Sequence, residues 1–239
     1  MKRIKCVIAA GGLGTRLQGF RNNDKTKVLL EVNQVPMINL QLSQLISWGI
    51  EDFIIITNPD YDKLTKEVVN NSFPNINIEY SIQEQAKGIS HALLMADSFV
   101  TKHDAVLFVL GDNFFGENPI SNVDFKKFYK VGGCIIFSKS VENPSEFGVA
   151  SIDKNENVIY IEEKPEFPNS NLAVVGLYIF DNTVMKKIKT LNPSKRGEFE
   201  ITDLINKYIK EDSCKNNLLN SWWVDAGTPE RILELEKNL

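Results

Sequence analysis

The chain has little of what several functional classes require. Its three cysteines, Cys6, Cys134 and Cys214, are odd in number and far apart, which excludes a disulfide framework and a paired-cysteine metal site. Cys6 and Cys134 lie in apolar runs and read as buried thiols. The two histidines, His91 and His103, have no ligand spacing to any cysteine, so no zinc site is expected. The net charge is -4, without the basic excess that general nucleic-acid binding needs. No run approaches the roughly 20 apolar residues of a membrane span. Met1-Lys2-Arg3 is followed by an apolar stretch too short for a cleavable signal. These absences predict a cytoplasmic protein with no nucleic-acid and no membrane partner. Low-complexity tracts, linkers and internal repeats are lacking too.

What is present suits a packed core. Hydrophobic residues make up 43% and aromatics 10% of 239 residues, enough for one large domain or two small ones. Apolar runs at 6–10, 53–57, 76–80 and 105–110 read as strands, with a short extended piece at 28–32. Helical patterns separate them: one opened by Pro36 and closed by Gly49, one capped by Asp60 and running to about Asn70, and one over 89–100. This alternation predicts a parallel sheet with right-handed crossovers. The later chain changes rhythm. A helix over 123–131 precedes shorter extended runs at 134–137, 147–150, 158–162 and 174–180, separated by turn residues, so an antiparallel, hairpin-rich insertion is expected. Helices near 183–190 and 200–211, a strand at 221–224 and a helix from Pro229 complete it. The expected fold is α/β: a Rossmann-like three-layer sandwich with a mainly parallel mixed sheet, forming one domain over 1–239. Its halves, 1–112 and 113–239, should share the sheet and flank a cleft.

Gly11-Gly12-Leu13-Gly14-Thr15-Arg16-Leu17 directly follows the first strand. Glycines at a strand end let backbone amides approach a phosphate, and Arg16 adds a fixed cationic fork. The loop lacks the Gly-Lys-Ser/Thr ending of a P-loop, and Leu17 replaces the third glycine of the dinucleotide fingerprint. A plain tight turn is the competing reading. Lys27 supplies a second cation nearby. Asp112, in Leu110-Gly111-Asp112-Asn113, and Asp225, in Val224-Asp225-Ala226-Gly227-Thr228, each follow an apolar strand. Either aspartate alone reads more readily as a cap, but two carboxylates in one cleft suit Mg²⁺. Glu162-Glu163-Lys164-Pro165 ends a strand at a proline; Lys164 can bind a phosphate and Glu163 sugar hydroxyls, unless the run is merely a solvated turn. Arg196 is another phosphate candidate, with a surface pair to Glu198 or Glu200 as its alternative.

These segments, taken in order with Phe147-Gly148-Val149 and Arg196-Gly197-Glu198-Phe199-Glu200-Ile201-Thr202-Asp203, resemble the sugar-phosphate nucleotidylyltransferases from about Ile4 to Leu235. The resemblance implies attack of a sugar 1-phosphate oxygen on the α-phosphorus of a nucleoside triphosphate, with pyrophosphate leaving and no covalent enzyme nucleophile. It implies dTTP and glucose 1-phosphate as the substrate pair. By the same analogy Arg16, Lys27, Asp112, Lys164 and Asp225 are catalytic, and Asp112 and Asp225 hold Mg²⁺. Gly11, Gly12, Gly14, Thr15, Arg16, Gln83 and Gly88 bind the nucleotide. Gly148, Glu163, Lys164, Val174 and Arg196 bind the sugar phosphate. The sequence departs from the family pattern at Glu31, where proline is usual, in the polar segment Arg21-Asn22-Asn23-Asp24-Lys25, and in a loop over 83–88 without prolines. It stops soon after Asp225, without the C-terminal extension of longer members, so a homo-oligomer is possible but unspecified. The alternatives are the same transfer with UTP or CTP, or with another phosphorylated acceptor, and a binding protein that does not turn its ligand over.

Overall fold

The computed structural model describes residues 3–17, 19–20 and 26–239. The polar segment over 21–25 falls outside them. Strands β1 (Arg3–Ala9), β4 (Asp52–Thr57), β5 (Asn77–Ile82) and β6 (Asp104–Leu110) alternate with helices α1 (Met37–Ser47), α2 (Asp62–Ser72) and α3 (Ile89–Leu94). Strands β1, β4, β5 and β6 pair in parallel, β1 lying between β4 and β6. The later chain adds β8 (Cys134–Ser140), β9 (Gly148–Ile152), β10 (Val158–Glu163), β11 (Leu172–Phe180) and β12 (Cys214–Leu218). Among the described residues these form a nine-stranded sheet, with β10-β9-β11-β6-β1-β4-β5 as its main path and β8 carrying β12. The expected mixed α/β sandwich is therefore present.

Successive residues of a strand point to opposite faces, so each central strand feeds two cores. Val7, Ile54, Ile56, Val106 and Phe108 pack under α3, α5 (Val184–Ile188) and α6 (Ile201–Ile209). Cys6, Ile8, Phe53, Ile55 and Leu107 pack under α1, α2 and α4 (Phe125–Val131). A further cluster joins Leu17 and Met37 to α7 (Pro229–Asn238) and to β13 (Trp223–Asp225), which pairs with β7 (Asn113–Phe115). All three cysteines are buried and free. No helix among the described residues is long and apolar enough to cross a membrane.

Several local expectations change. Residues 27–29 form a 3₁₀ turn rather than an extended piece, because Leu29 and Leu30 amides donate back to Thr26 and Lys27. The turn sends Val28 and Leu29 into the core and leaves Lys27 facing the crevice. Beyond it, β2 (Glu31–Val32) and β3 (Val35–Pro36) make a hairpin through Asn33 and Gln34, both with positive φ. Asp60 does not cap α2; Asp62 in its first turn accepts from the Thr57 hydroxyl at 2.7 Å. Helix α3 ends at Leu94 and passes into a 3₁₀ turn.

The topology contains one branch that positions the site. Strand β11 pairs with β8 at both its ends, with β6 over 177–180 and with β9 at Ala173. A strand has two edges, so β6 and β9 share one of them and the sheet forks. The register with β8 slips between Val174 and Tyr178, and within that slip the Gly176 amide donates to Asn113 Oδ1 at 2.9 Å. A Cβ at Gly176 would lie 2.7–2.8 Å from the Asn113 amide group, so only glycine fits. Trp223 Nε1 donates to the same Oδ1 at 2.8 Å. Asn113 thus ties β7, β11 and β13 together at the mouth of the fork. We expect Asn113→Leu to cost roughly 2–4 kcal/mol, since it strands two buried donors. Trp223→Phe, which deletes one donor, should cost about half as much. Urea denaturation checks both.

Candidate active site

The glycine loop is tied down through its carbonyls. Asn58 Nδ2 donates to the Gly11 oxygen at 3.0 Å, and the Thr26 hydroxyl donates to the Gly12 oxygen at 2.7 Å. The amides of 11–14 find no acceptor among the described residues. Gly14 has φ +65°, and a Cβ there would fall 2.7 Å from Lys27 Cβ, so glycine lets the loop close on that side chain.

Gly11, Gly12, Lys27, Gln83, Gly88 and Asp112 line one cavity of about 280 Å³. Arg16, Gly148, Glu163, Lys164, Val174 and Asp225 line an adjoining one of about 350 Å³. Ile89 and Leu110 border both. Lys27 joins the two: its ammonium bonds Asp112 Oδ2 and lies 4.0 Å from Asp225 Oδ1. Arg16 reaches the same point, for a Cβ built on Gly227 would lie 2.9 Å from Asp225 Oδ1, 3.1 Å from Arg16 Nη2 and 3.3 Å from Lys27 Nζ. The sequence-predicted acids and cations from the two halves therefore converge.

Three predicted residues stand apart from this lining. Gly14 packs behind Lys27, Thr15 is exposed, and Arg196 lies outside both cavities. Arg196 Nη2 contacts both Glu200 carboxylate oxygens at 3.0 Å, the surface pair that was its alternative reading.

Other residues escaped the sequence reading. Gln41, fully buried on the apolar face of α1, donates to the Leu110 and Asn113 carbonyls at 2.7 and 3.1 Å. Gln44 donates to the Phe115 carbonyl and accepts its amide. Together they brace the turn carrying Asp112. Arg231 on α7 donates to Asp225 Oδ2 at 3.3 Å and to Glu146 Oε2 at 2.7 Å, with its guanidinium 4.9 Å from the Phe147 ring centre. A glutamine amid apolar helix positions was the available signal for Gln41; nothing local marked Arg231.

The two aspartates differ in proton affinity. Burial raises that of Asp112, but the Lys27 charge and hydrogen bonds from Lys27 and Asn113 outweigh it, leaving Asp112 below the ordinary carboxylate value. Burial, then the Asp112 charge, pushes Asp225 up to about 6. Asp225 Oδ1 is buried without a hydrogen-bond partner among the described residues. An unsatisfied carboxylate oxygen beside a second carboxylate fits a hard divalent cation, which would take that oxygen as a ligand.

Comparison with known proteins places this architecture. The chain matches the Nucleotidyl transferase family model over residues 5–239. It is 36% identical over 234 residues to the glucose-1-phosphate thymidylyltransferase of Neisseria meningitidis, covering 97% of this chain and 81% of that protein. It is 34% identical to the nucleotidyltransferase Agl11 of low-salt glycan biosynthesis in Haloferax volcanii, covering 97% of this chain and 64% of that protein. A Bacillus anthracis structure assigned as a glucose-1-phosphate thymidylyltransferase, in complex with a sucrose, superposes with a TM-score of 0.87 at 36% identity, covering 99% of this chain and 96% of that one. A UDP-glucose pyrophosphorylase complexed with UDP-glucose shares the fold, with a TM-score of 0.84 at 23% identity, covering 99% and 98% of the two chains. The chain belongs to the nucleotidyl transferase family, and it is a nucleotidyltransferase enzyme.

The raised Asp225 value has a stability consequence. The folded state holds a proton on Asp225 up to about pH 6, whereas an unfolded aspartate loses it near 4. Stability is therefore lost as pH rises through that window. With divalent cations chelated, Asp225→Asn should raise the melting temperature at pH 7.5, and the gain should vanish towards pH 4. A pH-independent effect in thermal scans would contradict this origin.

Proposed function

We propose that the enzyme transfers a thymidylyl group from dTTP to glucose 1-phosphate, forming dTDP-glucose and pyrophosphate. The meeting of Asp112, Asp225, Lys27 and Arg16 at the junction of two adjoining cavities carries this reading. It supports two polyanions entering from opposite sides and reacting at their meeting point. The names of the 35–36% identical relatives favour this substrate pair.

In this reading the first cavity holds the nucleotide. Amides of 11–14 face the phosphates, and Gln83 with Gly88 face the base. The second cavity holds the sugar phosphate, with Lys164 on the phosphate and Glu163 on sugar hydroxyls. Lys164 sits at φ +46°, an uncommon backbone for a non-glycine residue, and its amide donates to the Phe147 carbonyl. Arg196 reaches that phosphate only by releasing Glu200, so Lys164 is the principal cation there. The acceptor phosphate oxygen attacks the α-phosphorus, and the α–β bridging oxygen leaves with pyrophosphate. Arg16 and Lys27 neutralise charge that builds on the triphosphate during transfer. Catalysis is positioning plus electrostatics, with no enzyme-bound intermediate. Mg²⁺, held by Asp112 and Asp225, would supply charge neutralisation for the phosphates.

UTP presents the same hydrogen-bonding edge as dTTP and is the second reading for the donor. Pyrophosphate release, measured for dTTP, UTP and CTP crossed with several sugar 1-phosphates, tests the assignment. The highest kcat/KM is expected for dTTP with glucose 1-phosphate; release from no pair would refute the proposal. Arg16→Ala should lower kcat roughly 10²-fold. Asp112→Asn should abolish most turnover and raise the Mg²⁺ concentration needed for half-maximal rate, while circular dichroism stays unchanged.

A further inference from the structure

Gln83 follows β5, and its amide donates to the Thr57 carbonyl at 2.9 Å. Its side-chain Nε2 lies 3.1 Å from the Gly88 carbonyl oxygen and 3.0 Å from His91 Nδ1. An amide nitrogen has two hydrogens and no acceptor capacity, so it donates both bonds and His91 Nδ1 is the ring's acceptor. Both hydrogens are then committed. Among the described residues both side-chain hydrogen bonds of Gln83 run through Nε2 and none reaches Oε1, and the residue lines the first cavity.

His91 is itself held in place. Its ring stacks on Phe199, with centroids 6.0 Å apart and planes at 21°. The Phe199 amide donates to the Lys87 carbonyl at 2.8 Å, and its carbonyl accepts the Ser90 amide at 3.2 Å. Gly88 between them has φ +95°, and a Cβ there would fall 2.8 Å from the Phe199 oxygen, so the strap over 87–90 lies flat against 199. Burial, then the Lys87 charge, lowers the proton affinity of His91, which keeps Nδ1 an acceptor near neutral pH.

We propose that His91 is a positioning residue for base selection. By accepting from Gln83 Nε2 it turns the Gln83 carbonyl oxygen towards the bound base. An acceptor at that point takes the N3–H of thymine or uracil and opposes cytosine, whose N3 is itself an acceptor. The Gly88 carbonyl anchors one amide hydrogen and His91 the other, so the amide cannot flip without losing both bonds. This inference rests on the nucleotide occupying the first cavity with its base at Gln83.

The test uses three variants of the enzyme. His91→Phe keeps the ring against Phe199 and removes the acceptor. His91→Gln returns a side-chain oxygen that can accept from Gln83. Gln83→Leu removes the reader itself. For His91→Phe we expect the KM for dTTP to rise about ten-fold, with kcat changed far less, and the dTTP-to-CTP ratio of kcat/KM to fall at least about ten-fold. His91→Gln should recover most of that ratio. If His91→Phe leaves the ratio unchanged while Gln83→Leu lowers it, the role of His91 is refuted and the base site stands. If Gln83→Leu changes neither KM nor the ratio, the base lies elsewhere and both readings fall. Should His91→Phe misfold, the ratio in His91→Leu and equilibrium binding of dTMP against CMP by His91→Gln give the same decision.

Discussion

Strand β11 has two edges and three partners, and the site follows from that mismatch. Because β6 and β9 must share one edge, they diverge, and the sheet opens where the carboxyl end of β6 delivers Asp112. Ligands of open α/β sheets collect at strand ends for the same reason: neighbouring chains part there and backbone groups lose partners. Here the opening is held by Asn113, which satisfies the Gly176 amide freed by the register slip and the Trp223 indole on the opposite wall. The fork is thus held by a side chain that accepts the bond a sheet ladder would otherwise have taken from Gly176.

Two carboxylates in a half-buried crevice repel each other and lose hydration, and Lys27 offsets both costs for Asp112 more than for Asp225. Among the described residues one Asp225 oxygen has no hydrogen-bond partner, and Arg231 donates to the other. Such incomplete satisfaction is uncommon in a structural core and characteristic of places that await a charged ligand. Arg231 links this carboxylate to Glu146 and the Phe147–Trp223 pair, so the acid on β13 is positioned from the wall of the second cavity. Helix α1 positions Asp112 through Gln41 and Gln44, which hold the backbone on either side of it. Each acid is braced from its own side, and among the described residues Lys27 is ion-paired with both.

The parts of the fold that were legible had local signatures. Buried parallel strands are continuous apolar runs, and the glycine loop needs positive φ at Gly14 and close approach at Gly11. The hidden parts lacked such signatures. Strand β12 carries Lys215, Asn216 and Asn217, a polar string held in the sheet by β8 rather than by its own pattern. The Asn33-Gln34 turn uses two non-glycine residues at positive φ. Arg231 reads as an ordinary charged position on an amphipathic helix until Asp225 is placed beside it.

The amino-acid order by itself determined the alternation of strands and helices, the change to hairpins in the second half and the glycine turn after the first strand, because periodicity and backbone freedom act between near neighbours. Only the tertiary structure decided which charges share the crevice. It brought Asp112, Asp225, Lys27 and Arg16 together and gave Arg196 to Glu200, although each was a candidate from the chain. Electrostatic partnership depends on distance through space, and the branching at β11 sets those distances.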